Sequence, residues 1–169
     1  MKRFMIKKLA LLVVLLFSTL SASEICGVWK SVNDDTDKAQ CYVAVYEYQG
    51  KYYGRIIATC DSDGVINDTM DEPKERAPGI VGQPYYAGLD LIWNLRDRGE
   101  RYKGKIVDPE RGRIYTAEVW VKGENLIVRG ELLFFGRNVI WYPTVKADFP
   151  KTFKMPNVKK FIPVIPQVD

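Results

Sequence analysis

From Cys26 to Tyr142 the hydrophobic positions fall into short runs rich in β-branched and aromatic residues, and glycine-containing turns separate them. That pattern predicts strands. Eight are read: Cys26–Ser31, Cys41–Tyr48, Tyr52–Cys60, Leu89–Leu95, Arg101–Asp108, Arg113–Val121, Asn125–Leu132 and Phe135–Tyr142. A long loop of roughly Asp61 to Gly88, with three prolines and mixed charge, follows the third strand and is expected to hold one helical turn around Glu72–Arg76. Eight sequential strands with mostly short connections suit an all-β, up-and-down antiparallel barrel; a β-sandwich is the alternative.

The stretch from Arg101 to Leu132 predicts a register. Asp108-Pro109-Glu110-Arg111-Gly112-Arg113 is a turn sequence, with proline setting an early φ and glycine taking a left-handed position. Pairing Asp108 with Arg113 sets Ile106 opposite Tyr115, Gly104 opposite Ala117 and Tyr102 opposite Val119. A turn at Gly123-Glu124 then sets Val121 opposite Leu126, Val119 opposite Val128, Ala117 opposite Gly130 and Tyr115 opposite Leu132. All these residues are apolar or small and share one face. The other face collects charged residues, with Lys103, Glu118 and Arg129 in a cross-strand ladder. A one-residue slip would turn every side chain over, so the clean division supports this register.

Gly104, Ala117 and Gly130 thereby form an inward row of small residues. The volume they leave is filled either by aromatic side chains or by a ligand. Trp29, Trp93 and Trp141 are available, and internal filling is the expected arrangement.

The two ends of the chain read differently from this middle. Lys2, Arg3, Lys7 and Lys8 precede an apolar run from Leu9 to Leu20, and Ser21, Ala22 and Ser23 follow it. This is the layout of a secretory signal peptide, residues 1–23, cut after Ala22 or Ser23. The run is shorter than the ~20 residues of a spanning helix, so no membrane span is expected after cleavage. Cys26 lacks the preceding small residues that lipoprotein attachment needs. The barrel domain is expected over residues 24–142 and an extended, proline-rich tail over 143–169, which packs along the barrel or stays mobile.

The leader changes the charge balance. The full chain has 25 Lys and Arg against 21 Asp and Glu, but four of the bases lie in the leader, so the remainder is close to neutral. That balance is no evidence for nucleic-acid binding, which wants a concentrated basic face, and no nucleic-acid partner is expected. Of the three cysteines, Cys41 and Cys60 lie at the far ends of the strands joined by the Gln49–Tyr52 turn. If Tyr48 pairs with Tyr53, Cys41 falls opposite Cys60 and within disulfide reach. Cys26 would then be the free thiol.

Several ordered motifs carry a resemblance. Gly27-x-Trp29 opens the first strand as in lipocalin and calycin barrels. Gly50-Lys51-x-Tyr53-Gly54-Arg55-Ile56, then Gly104-Lys105-Ile106-Val107-Asp108-Pro109, Gly112, Tyr115, Val128-Arg129-Gly130, Gly136-Arg137 and Trp141 follow. Over about Gly27 to Trp141 the chain resembles the bacterial exported family called domain of unknown function 2147. The resemblance implies a lipocalin-like barrel and a periplasmic or extracellular location, and brings no assigned activity. In calycins the first-strand tryptophan often packs under an arginine of the last strand; the resemblance implies Arg137 in that role over Trp29.

The chemistry present points away from catalysis. There is no histidine, so the usual triads and most general-base schemes are absent. Without histidine or a Cys-x-x-Cys pair a zinc site is not expected, and no cofactor is implied. The carboxylate pairs Asp34/Asp35, Asp61/Asp63 and Asp71/Glu72 fall in loops, where such pairs are commonly just solvated. Asp61-x-Asp63-Gly64 begins like a calcium loop but lacks the later ligands. The reading is of an exported, non-enzymatic binding protein that holds an apolar or aromatic small molecule, or a hydrophobic peptide segment, at the barrel mouth. Trp29, Tyr102, Tyr115 and Trp141 are the expected contacts, with Gly104, Ala117 and Gly130 giving room. The alternative is an interaction module, an inhibitor or envelope-associated factor, acting through loops and tail around a solid barrel.

Overall fold

The computed structural model describes residues 24–169; the expected signal peptide at 1–23 lies outside the described residues. The strands are β1 (Gly27–Val32), β2 (Ala39–Tyr48), β3 (Lys51–Cys60), β4 (Ile66–Thr69), β5 (Asp90–Asp97), β6 (Tyr102–Asp108), β7 (Arg113–Lys122), β8 (Asn125–Leu132) and β9 (Phe135–Pro143). The sheet order is β2-β1-β9-β8-β7-β6-β5-β3-β4, and β2 also pairs with β3. That last pairing closes eight strands into an antiparallel barrel. β4 is the additional strand: it joins β3 at Ala58–Cys60, above the segment of β3 that pairs with β5.

The register expected for β6 to β8 is present: Gly104 pairs with Ala117, Ala117 with Gly130, and Val119 with Val128. The turn chemistry explains why. The Asp108 carboxylate accepts the backbone N–H groups of Glu110 and Arg111, both at 3.0 Å, and Gly112 takes φ +64°. On the outer face Lys103 and Arg101 meet the Glu118 carboxylate at 2.7 and 2.5 Å. Arg129 does not complete that ladder: its guanidinium turns along its own strand to Glu131 at 2.5 Å.

Two apolar cores result. The inner one fills the barrel and draws on every barrel strand, with Trp29, Val43, Ile56, Leu95, Tyr102, Val119, Leu126 and Trp141 among its members. Ile25 joins it ahead of β1, accepting the Trp29 indole N–H on its carbonyl at 2.9 Å. The outer core covers the opposite face of β2, β3 and β5. There Tyr42, Tyr46, Ile57 and Trp93 pack under Ala77 and Ile80 of the long loop and Phe161 of the tail. Trp93 was expected inside, but it pairs with Lys105 on the outward register, just before a bulge that runs to Arg96.

The tail therefore packs along the barrel, and a buried ion pair latches it there. Arg55 and Asp90 meet at 2.6 Å with side chains 10% and 0% exposed. The Tyr46 hydroxyl donates to Asp90 at 2.8 Å. From the tail, Val164 N–H donates to Asp90 and the Ile162 carbonyl accepts from Arg55, each at 2.8 Å. Phe161 closes over the guanidinium at 4.4 Å.

Two local expectations are corrected. No helical turn forms at Glu72–Arg76. Pro73 disfavours helical geometry in the residue before it. The buried Asp68 carboxylate also captures the N–H groups of Lys74 and Glu75, and Arg76 instead bridges to Tyr85. The disulfide is absent as well: Cys26, Cys41 and Cys60 are all free. Gln49 and Gly50 both have positive φ and make a two-residue turn, so Tyr48 pairs with Lys51 rather than Tyr53. Even with a bulge beside Val43, Cys41 then faces Thr59. Cys41 packs against the inner core and Cys60 against the outer one.

Candidate functional site

The strand directions place the β1–β2 loop, the β6–β7 turn and the β8–β9 hairpin at one end of the barrel. Between β6 and β9 at that end lies a cavity of about 330 Å³. Its lining comes from inward register positions: Ile106 and Tyr115, paired across β6 and β7, then Val128 with Val139 and Gly130 with Arg137, paired across β8 and β9. One layer deeper the inner core takes over with the fully buried Ala117, Val119 and Leu126 and with Trp141. The cavity is therefore a cup at the mouth with an apolar floor.

Its rim is polar. Asp108 stands on one side, held by its own turn. Arg137 stands on the other and pairs with Asp34 of the β1–β2 loop at 2.5 Å. The long loop braces this rim: Gly79 N–H donates to the Pro109 carbonyl at 2.9 Å, and Gly79 lies against Gly112 so closely that a Cβ on either would collide with the other's backbone.

The structure divides the residues expected to form the site. Tyr115 and Gly130 line the cavity; a Cβ on Gly130 would meet its neighbours no closer than 3.7 Å, so the glycine does leave room. Ala117 is fully buried below the cup. Trp29 and Trp141 are filler of the inner core, and Tyr102 is buried edge-on against Tyr52, ring centres 5.1 Å apart. Gly104 has a different purpose from the one expected. A Cβ there would sit 2.6 Å from the Trp93 carbonyl and 2.8 Å from Leu95 N, so the glycine admits the bulged backbone of β5 and leaves no space for a ligand. Arg137 is not packed over Trp29: Trp29 lies opposite Pro143, six residues and roughly 20 Å along the strand from Arg137. Ile106 and Val128 were legible as inward positions. Val139, Asp108 and Arg137 were not, because the Leu133-Phe134 turn carries no turn residue that would fix the β8–β9 register and charged residues at a strand end look solvated.

The remaining reactive groups are quiet. Burial pushes the Cys41 thiol up to about 12, with Cys60 nearby adding to the effect. Burial likewise pushes Cys26 and Cys60 up to about 11, helped by Glu47 and Asp61 respectively. Thiols so far from ionisation are poor nucleophiles. Among the described residues no three His, Cys, Asp or Glu side chains come together as a set able to hold a metal ion. No helix of the described residues is long and apolar enough to cross a membrane.

A closed eight-stranded antiparallel barrel with a cup at one end and a packed interior is a lipocalin-like fold. A solved structure with this architecture is protein HP1028 from Helicobacter pylori, described as belonging to the lipocalin family. It superposes with a TM-score of 0.58 at 17% identity, over 73% of this chain and 84% of that one. The chain belongs to the bacterial family described as uncharacterized protein conserved in bacteria, DUF2147, whose family model matches residues 27–142. No curated protein matches it.

Proposed function

We propose that the chain is an exported, non-enzymatic binding protein that takes a small apolar ligand with one polar end in the cup at the barrel mouth. The observation that carries this reading is the cup itself. About 330 Å³ is at the lower end of ligand pockets, which run to roughly 300–1,000 Å³. Apolar walls of Ile106, Tyr115, Val128 and Val139 would hold the body of the ligand. Arg137 and Asp108 at the rim would hold its polar end, as a few placed polar groups do in such pockets. A deeper occupant would have to displace Trp141 and its neighbours.

Titration with N-phenyl-1-naphthylamine tests this. Saturable one-to-one binding is expected. Gly130→Leu places a side chain in the cup without backbone strain and should weaken binding at least tenfold while leaving the urea midpoint nearly unchanged. Binding that is absent, or equally tight in Gly130→Leu, overturns the proposal.

A further inference from the structure

The β8–β9 hairpin ends in four consecutive large apolar residues. Leu132, Leu133, Phe134 and Phe135 are 49%, 85%, 96% and 82% exposed. Leu132 pairs with Phe135, so Leu133 and Phe134 form a two-residue turn beyond the last pair. Leu133 has φ +57°, a position where such turns select glycine. Local turn chemistry therefore gives no reason for leucine here, and solubility argues against it. The tip rises beside the mouth cup, clear of both apolar cores.

We propose that this hairpin tip seats in the interfacial layer of a phospholipid bilayer. Shape and area select that occupant. The four side chains together present roughly 500–600 Å², a large patch for a monomer but short of the ~800 Å² per partner of a stable protein interface. The tip is also convex, suited to entering a soft layer rather than to receiving a protein knob. The flanking charges agree. Arg137 follows Phe135 by two residues and Arg129 precedes Leu132 by three, so the guanidinium groups trail the tip by roughly 7–10 Å at strand rise. That is the depth between the acyl boundary and the headgroups, which places both arginines among lipid phosphates. Their present partners are Glu131 and Asn138 for Arg129 and Asp34 for Arg137; the Glu131 and Asp34 carboxylates are 34% and 63% exposed, and such surface pairs are weak enough to exchange for phosphate. The proposal does not depend on the cup holding a ligand.

Vesicle flotation tests it, with the purified protein and vesicles of phosphatidylcholine and phosphatidylglycerol at three to one. The protein is expected to float. The double variant Leu133→Gly/Phe134→Ser suits the turn better than the native pair, so its urea midpoint should hold or rise while its vesicle partition falls at least tenfold. Naphthylamine binding by that variant should be unchanged, which separates a failure here from a failure of the cup. If the native protein does not float, or the variant floats as well, the proposal is wrong. If the protein instead sediments as a dimer that the variant abolishes, with no vesicle binding by either, the tip is a self-association surface and the membrane reading is overturned.

Discussion

Removal of the Asp90 carboxylate should be among the most damaging single changes in the molecule. Its side chain is fully buried and accepts from Tyr46, from Val164 of the tail and from two nitrogens of Arg55. Asp90→Ala leaves the Arg55 guanidinium, itself only 10% exposed, with the Ile162 carbonyl as its remaining strong partner. An uncompensated buried charge of this kind costs about 3–5 kcal/mol, against a total stability of about 5–15 kcal/mol for a domain. Urea unfolding followed by tryptophan fluorescence should show that loss as a lower midpoint with a similar slope. Because the same carboxylate holds Val164, trypsin should cut the variant at Lys159 and Lys160 under conditions that spare the native protein. Replacing the pair together, Arg55→Met/Asp90→Leu, removes the stranded charge and should recover most of the loss. A loss below about 1 kcal/mol in Asp90→Ala, or a double variant as unstable as the single one, would refute the latch.

Further expectations follow from single contacts. Gly104→Ala drives a Cβ into the β5 backbone at 2.6 Å, and the overpacking should cost about 1–3 kcal/mol or more in urea unfolding. Alkylation of unfolded, unreduced protein should modify all three cysteines, while in the native state at pH 8 iodoacetamide should react far more slowly; a bridged pair in the mass spectrum would contradict the observed β2–β3 register. Stability should fall in acid. Hydrogen bonds from Lys103 and Arg101 hold Glu118 below the usual carboxylate range; burial pushes Asp148 up, but Lys30 and the Val145 N–H more than offset it, leaving it low as well. Depressed carboxylates stabilise the fold fully above their unfolded pKa and lose that contribution as pH falls through the folded one, so midpoints should be flat near neutrality and drop below about pH 4. Glu118→Gln should make that drop shallower, and an unchanged drop would show that Glu118 does not contribute.

The barrel was legible because its determinants are local. The β6–β7 turn advertises itself through Asp108, Pro109 and Gly112, and strict alternation across Val119, Ala117 and Val128 allows only one way in. What was lost depended on irregularity. The bulges near Val43 in β2 and between Trp93 and Arg96 in β5 shift the phase by one residue. The β5 bulge puts Trp93 outside, while the two-residue Gln49-Gly50 turn is what parts Cys41 from Cys60. Alternation counting has no symbol for a bulge. The second core was hidden for another reason. Phe161, Ile80 and Tyr46 are far apart in sequence, and the tail has no period because it follows the contour of a sheet's outer face rather than an element's own repeat. Gly104 read as room when it marks a close backbone approach; sequence does not distinguish the two. Of the cup, Ile106, Tyr115, Val128 and Gly130 could be placed, whereas Arg137 and Asp34 meet only through the closure of the barrel.

The covering of one side by the loop and tail makes the barrel mechanically lopsided. The β2, β3 and β5 wall is packed on both faces. The β6 to β9 wall is packed chiefly within: Val107 at the end of β6 joins the outer core, but the outer face also carries Lys103, Lys105, Thr116, Asn138 and Ile140 to solvent. Amide exchange should follow this division. Ile57 and Ala58 should exchange only through global unfolding, while amides of the β8–β9 hairpin should exchange through low-energy local opening. The thin wall is the one that carries the cup, so opening motions should concentrate on that side while the doubled wall behaves as a rigid back.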